Sequence, residues 1–512
     1  MKNRYLIYAS KACFSLAILG QSSIVAAAAR EANPLTIGSQ KQLFIDERFI
    51  GSSNSVRLVF NPPEVPVENL LPSDQVWERG GHSVYSSVLQ DGNVYRMYYS
   101  TYPAGDATQY LCLAFSTDGV NWTKPDLGLI EFNGSKHNNI VGINISGTVF
   151  IDPFDEPTRR YKMWAITRKV DPGWAISVDW VERSQYLMQS ADGARWERGA
   201  EPTMPFYLGA PAPVFWDDSI EKWVVYPRCY EPGEIRTYTR YTLGKHNLAA
   251  SHSALELKLE ATRKRSDPLP LDKFPIIFRP DKKDPIGTQI YTLGAEKYSY
   301  AQDVYVAFPS LWYSQRKWYG DQIDPNASND LEMHFAVSRD GINWWRPFQA
   351  AIVPKGLPGS GRDGDVYVSG MVRHGDQLYV YYAGWSIQHH TARNPRTTAV
   401  GRAIFRLDGF ASVDTPLEGG ELITTPLIFE GNTLQLNALA TGAGSIRVEI
   451  LDAEGNPVPG RGMDDSMVVR GNSVRHTVRW KDGSDVSTWA GKPIRLRFVM
   501  RQSKLFAFQF LP

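Results

Sequence analysis

Four carboxylates stand in loop-like stretches where arginine, tryptophan and histidine crowd around them. Glu78 lies in DQVWERGGHS (74–83) beside Trp77, Arg79 and His82. Glu231 lies in PRCYEPGEIR (227–236) beside Arg228, and Asp363 and Asp365 lie in SGRDGDVY (360–367) beside Arg362. Two carboxyl groups across a bond can divide the labour of cleaving it: one protonates the leaving oxygen, the other attacks or activates water. Arginine binds hydroxyls, carboxylates and sulfates, and a tryptophan ring stacks on an apolar ring face. Two further stretches carry the same mixture: KVDPGWAISVDWVERSQ (169–185) with Trp180, and WSIQHHTARNPR (385–396) with Trp385, His389 and His390. For each acid the bland alternative is a solvated loop carboxylate paired to its neighbour, as Glu78 with Arg79 or Asp363 with Arg362. The adjacent histidines would point oppositely on an extended strand, so they are expected to touch substrate and not a metal. The pattern demands no cofactor.

These stretches need a scaffold, and internal repetition supplies it. FSTDGVNW (115–122), QSADGARW (189–196) and VSRDGINW (337–344) share the form S-x-D-G-x-x-W, with aspartates 74 and then 148 residues apart. The second spacing is twice the first, so one copy has lost its signature. A weaker copy, RLDGFASV (406–413), follows. Asp-Gly makes a tight turn because Asp caps its own backbone and Gly accepts a positive φ, so the motif is read as structural. Alternating aromatic and β-branched strands precede each turn, as in SVYSSVLQ, VYRMYYS and QYLCLAFS. Four strands per unit and five units predict an all-β fold: a five-bladed β-propeller over 40–418. LFIDERFI (43–50) is expected to close it against the last unit. After Glu418 the strands lose the turn motif, and residues 419–512 are predicted to form a C-terminal β-sandwich.

The start of the chain predicts its compartment. Lys2 and Arg4 precede the apolar SLAILG and a small-residue IVAAAA, the form of a cleavable signal peptide over 1–29, hence a periplasmic or secreted protein. Its removal takes the formal charge from +1 to −2. No basic excess remains for a phosphate backbone, so nucleic acid is not an expected partner. No later apolar run is long enough to span a membrane. Cys112 and Cys229 remain and are expected to be buried free thiols.

Five such units, a leader and a C-terminal sandwich resemble the glycoside hydrolases of families 32 and 43, as an outlying or separate family, since no Glu-Cys acid motif occurs. The resemblance implies hydrolysis of a plant, algal or microbial polysaccharide or oligosaccharide. It puts Glu78 where relatives hold the nucleophile or base, Asp363 and Asp365 in the corresponding place of unit five, and Glu231 in the unit that carries the acid. Trp77, Arg79, His82, Trp180, Arg228, Arg362, Trp385, His389 and His390 are the expected substrate contacts. Two other readings stay open: a polysaccharide lyase with a tyrosine or histidine base, and a glycan-binding propeller without catalysis. Oligomeric state is not legible.

Overall fold

The computed structural model describes residues 33–106, 108–167, 185–199, 203–204, 210–231, 235–255, 274–314, 328–387 and 397–512. The all-β expectation holds: the one α-helix among these residues is Ser251–Ala254. No helix among them is long and apolar enough to cross a membrane.

Among the described residues between His82 and Arg406 seven antiparallel sheets follow one another, and two pairs of them, each joined by a strand interrupted at a proline, count below as the third and fourth sheets. The first holds His82–Asp91, Val94–Thr101, Tyr110–Ser116 and Ile140–Ile143; the second, Ile145–Ile151, Tyr161–Thr167, Gln185–Ser190 and Glu197–Arg198. In the third, Val214–Asp217 pairs with Lys222–Val225, which resumes after Pro227 as Arg228–Glu231. Proline has no N–H to donate and interrupts the ladder. Tyr241–Leu243 adds to Lys222–Val225, and Ile235–Thr239 and then Ile276–Phe278 add to Arg228–Glu231, so each half is three-stranded. The fourth is broken in the same way at Pro309, between Tyr305–Ala307 and Ser310–Tyr313. Its other strands are Thr288–Thr292, Ala295–Lys297, Leu331–Met333, Ala336–Ser338 and Trp344–Trp345. The fifth holds Val366–His374, Gln377–Trp385 and Thr398–Arg406.

The first strands of the first three sheets lie side by side, Val214–Asp217 lies beside Ala295–Lys297, and Val366–His374 lies beside Ser310–Tyr313 and Leu331–Met333 on one side and His82–Asp91 on the other. A cavity of about 380 Å³ runs between them, lined from all five sheets by residues such as Ser86, Thr148, Phe215, Glu296 and Ser369.

The repeated turn fastens sheet to sheet. Ser116, Ser190 and Ser338 accept the N–H of Gly119, Gly193 and Gly341 through Oγ. Asp118, Asp192 and Asp340 each accept the next two turn N–H groups through Oδ1. The glycines have φ of 71°, 76° and 68°, which disfavours any side chain. The exposed glycine carbonyl then receives a tyrosine hydroxyl from the preceding sheet: Tyr381 to Gly119 at 2.6 Å, Tyr98 to Gly193 at 2.9 Å, Tyr226 to Gly341 at 2.7 Å. The motif tryptophan meets the same tyrosine edge to face, with Trp122–Tyr381, Trp196–Tyr98 and Trp344–Tyr226 centroids 5.7, 6.0 and 6.1 Å apart. Thus the tryptophan packs against the neighbouring sheet as well as its own. Tyr381 belongs to the fifth sheet and Gly119 to the first, so one clasp joins last to first.

The N-terminal stretch departs from expectation. LFIDERFI does not close the five sheets: Gln42–Leu43 pairs with Ser503–Leu511, and Ile50–Asn54 with Gly420–Thr424. Leu35–Gly38 and Arg57–Phe60 likewise pair with Leu427–Phe429 and Ala411–Thr415. The segment laid against the fifth sheet is instead 64–70, an irregular stretch in which Glu64 bridges Ile404 and the Leu70 N–H bonds the Val400 carbonyl. Phe44 and Phe49 explain the exchange: both are fully buried in the core of Leu422, Leu434, Ile446, Phe498 and Phe508, between the two C-terminal sheets. One of these sheets centres on Thr433–Ala440 and Ser503–Leu511, the other on Gly420–Thr424 and Arg495–Arg501.

Cys112 and Cys229 are free and buried, as expected. Burial pushes the Cys229 thiol up to about 12.

Candidate functional site

The ends of the strands that carry Tyr85, Arg228, Tyr291, Trp312 and Tyr367 converge on one cluster. On Arg228–Glu231 and Ile235–Thr239, strand alternation sends Arg228, Tyr230, Arg236 and Tyr238 to one face, because Arg228 pairs with Tyr238 and Tyr230 with Arg236. Arg228 is 2% and Arg236 5% exposed. Arg228 donates to the Tyr291 carbonyl and the Tyr230 hydroxyl, both at 3.0 Å, and lies 5.2 Å over the Tyr291 ring. Arg236 donates to Gln289 Oε1 and lies 4.9 Å over Trp312. The rings form a continuous row: Trp312 to Tyr291 at 6.4 Å, Tyr291 to Tyr367 at 5.7 Å, Tyr367 to Trp385 at 5.5 Å.

Asp365 stands at the fifth-sheet end of this row, where the chain enters Val366–His374. It is fully buried, and its carboxylate accepts the Tyr367 hydroxyl at 2.6 Å and the Leu331 N–H at 3.0 Å. Burial first, and then the Asp365 charge, hold the Tyr367 hydroxyl protonated as the donor. Asp330, the residue before Leu331, is partly exposed. Burial raises its pKa and the charges of Asp365 and Glu332 add to the rise, while Lys355, 3.7 Å away, opposes it. Asp330 is thus biased toward its acid form, and Asp365, bonded to the N–H of the next residue, adds its charge to that bias. Among the described residues no cluster of histidine, cysteine and carboxylates suits a metal ion.

The structure brings only part of the expected set here. Asp365, Arg228 and Trp385 join the cluster, Trp385 anchored by its indole N–H on the His82 carbonyl at 2.8 Å. Glu78 is wholly buried in an ion pair of its own: its oxygens accept Tyr99 Oη at 2.6 Å, Lys124 Nζ at 2.6 Å and the Gln75 N–H at 3.2 Å. Such a saturated ion pair fastens the 74–78 segment to the first sheet. Trp77 belongs to the same fastening, donating to Asn139 Oδ1 at 3.1 Å with its ring against Phe132. Arg79 is exposed beside them. His82 is buried and hydrogen-bonded to the Leu71 carbonyl and Ser73. Glu231 points to the other face of its sheet from Arg228, with Arg279 at 3.7 Å. Asp363 accepts the Gly359 N–H at 2.8 Å and braces its own loop, and Arg362 reaches the Pro354 carbonyl of that loop. Trp180, His389 and His390 lie outside the described residues.

The sequence reading missed Tyr85, Arg236, Gln289, Tyr291, Asp330 and Tyr367. Alternating arginine and tyrosine in Arg228-x-Tyr230 and Arg236-x-Tyr238 was the available signal, since a strand rarely spends an inward face on arginine without a polar purpose.

No family profile matches the sequence, and no curated protein matches it. Among solved structures the chain is similar to a glycosyl hydrolase from Bacteroides ovatus, at 13% identity and a TM-score of 0.40, over 68% of this chain and 94% of that one. It is similar to a thermostable family-43 glycoside hydrolase at 17% identity and 0.40, over 65% and 92%. It is also similar to an N-acetylgalactosamine deacetylase from F. plautii at 12% identity and 0.42, over 69% and 96%.

Proposed function

We propose that this chain is a glycoside hydrolase that cleaves a polysaccharide or oligosaccharide with a pair of carboxyl groups. The observation that carries the reading is the aromatic row Trp312–Tyr291–Tyr367–Trp385, with Asp365 bonded to Tyr367 and to the N–H that follows Asp330. Rings in a row suit successive apolar sugar faces, and the paired acids suit the acetal bond between them. Asp330, partly exposed and held toward its acid form, is the proton donor to the leaving oxygen. Asp365, oriented by Tyr367 and the Leu331 N–H, is the second carboxyl. Arg228 and Arg236 set the positions of the rings and of polar groups around them.

In this reading the five sheets are the blades of a β-propeller, supported by the cavity they line together and by the repeated tyrosine clasps. The sandwich takes strands from both ends of the chain, 35–60 and 411–512. The leader-like residues 1–29 make the mature protein an exported one.

One observation favours a second reading. Arg228 beside the Tyr230 hydroxyl is the pairing a lyase would use to neutralise a uronate and abstract its proton. Incubating the mature protein with a panel of neutral, uronate and sulfated polysaccharides separates the two. New reducing ends without absorbance at the unsaturated-uronate band support hydrolysis. Unsaturated product would replace it with the lyase, and no cleavage of any polymer would leave glycan binding alone.

A further inference from the structure

At the far end of the fifth sheet from Asp365, the fold builds a second polar pocket. The strand Val366–His374 separates the two places; eight residues at about 3.3 Å each put Arg373 roughly 26 Å from Asp365. Here the hairpin turn of the fifth sheet faces the outer side of the sheet formed by Thr433–Ala440 and Ser503–Leu511, and a cavity of about 320 Å³ lies between them. Lys41, Arg373 and Arg475 line it together with Gln435, Asn437 and Gln509.

The strand pattern explains the amides. Leu434 and Leu436 turn into the apolar core, so Gln435 and Asn437 turn outward toward the fifth sheet. Gln435 sits directly across the ladder from Gln509, which places two carboxamides side by side. Asn437 is fixed, donating to the Leu407 carbonyl at 2.7 Å and accepting from Arg406 Nε at 2.7 Å. Ala507 and Leu511 add an apolar floor beside the amides. Paired carboxamides next to an apolar patch are the donors and acceptors a hydroxylated ring needs.

The charges define which ring. Lys41 pairs with Asp408 at 2.7 Å, and Arg475 bonds both oxygens of Asp376 at 2.7 and 2.8 Å. Arg373 and Arg406 are answered only by neutral partners in the hydrogen bonds they donate: Gly375 O for Arg373, and Asn437, Asn472 and Ala438 O for Arg406. Of the three cations that line the cavity two are paired to carboxylates and Arg373 is not, with Arg406 beside them, so the excess is positive. Burial bears on Arg406 and lowers its pKa, against the opposing charges of Asp408 and Asp376.

We infer that this pocket is a second saccharide site that takes a sugar residue bearing an oxyanion, a sulfate ester or a uronate carboxylate, and so holds an acidic polymer at a distance from the point of cleavage. The chemistry shared by the two sources is a hydroxylated ring with one negative oxygen cluster. Arg373 and its neighbours supply the charge, Gln435 and Gln509 the hydroxyl contacts.

The test reads binding and not turnover, so it stands whether or not the cleavage reading does. The full mature protein is run by native electrophoresis through gels containing polygalacturonate, a sulfated galactan or a neutral mannan, with circular dichroism to confirm folding. Retardation is expected in at least one acidic gel and not in mannan. Retardation by the sulfated polymer alone assigns a sulfate ester, and by polygalacturonate alone a carboxylate. Gln435→Ala and Arg373→Gln should each weaken it by about fivefold or more, while Asp365→Asn leaves it in place. Migration unaffected by either acidic polymer, equal retardation by mannan, or retardation undiminished in both folded pocket variants would overturn the inference.

Discussion

Replacing Glu296 by Gln should stabilise this protein, and the gain should grow with pH. Glu296 projects into the cavity between the five sheets, whose other titratable lining residues are Tyr85, Tyr300 and Arg373. Burial alone pushes its carboxyl from 4.5 up to about 8; no cation lies close enough to oppose that. Arg373 donates to the Gly375 carbonyl and lies 5.2 Å over the Tyr300 ring, and its charge does not act on Glu296. The folded state therefore holds a proton that the unfolded state releases. Stability is complete below pH 4.5 and declines as the pH rises from there toward 8. The full displacement corresponds to at most about 5 kcal/mol, and water in the cavity should reduce that to about 1–3 kcal/mol at pH 8. Glutamine keeps the shape and has no charge to lose. Thermal melts of both proteins at pH 4.5, 6, 7.5 and 9 should coincide at the lowest pH and separate by a few degrees at the highest. A difference independent of pH, or a wild type increasingly more stable than Glu296→Gln, would refute the reasoning.

Two further outcomes follow from the packing. Gly193→Ala forces a methyl against the Tyr98 hydroxyl at φ 76° and should cost about 2–3 kcal/mol in chemical denaturation, while Tyr98→Phe, losing one buried hydrogen bond, should cost about 1 kcal/mol. In both, the folded fraction should keep wild-type specific activity, because the clasp holds sheets and touches no substrate. Glu78→Gln leaves Lys124 without its buried partner and should lower the melting temperature by several degrees with turnover retained in the folded fraction.

The strands and their hairpins were legible because alternation and Asp-Gly turns are local signals. So was the clasp's position, though not its partner: nothing in FSTDGVNW says that Tyr381, more than two hundred residues on, will meet Gly119. The assignment of 43–50 failed for a related reason. Alternating LFIDERFI suits any half-buried strand, and only the cavity left for Phe44 and Phe49 in the C-terminal core decides where it goes. At the site, composition pointed to stretches, and the pairing of each side chain came only with the fold. Glu78 looked reactive because Lys124 lies 46 residues away in sequence. Glu231 and Arg228 were grouped as neighbours in one segment, but three residues along a strand put them on opposite faces. Asp330 was invisible in an unremarkable NASND run until Leu331 was seen beside Asp365.

The central claim, that Asp330 and Asp365 are the reacting pair, is tested most directly by the turnover of Asp330→Asn and Asp365→Asn on whichever polysaccharide the wild type cleaves. Each should lose about 10²–10⁴-fold in kcat while melting within a few degrees of wild type. In the wild type, kcat should fall as the pH rises through the elevated Asp330 pKa, since only the protonated form can donate. Wild-type turnover in a folded Asp330→Asn or Asp365→Asn, above all beside a stable and inactive Glu78→Gln, would contradict the account.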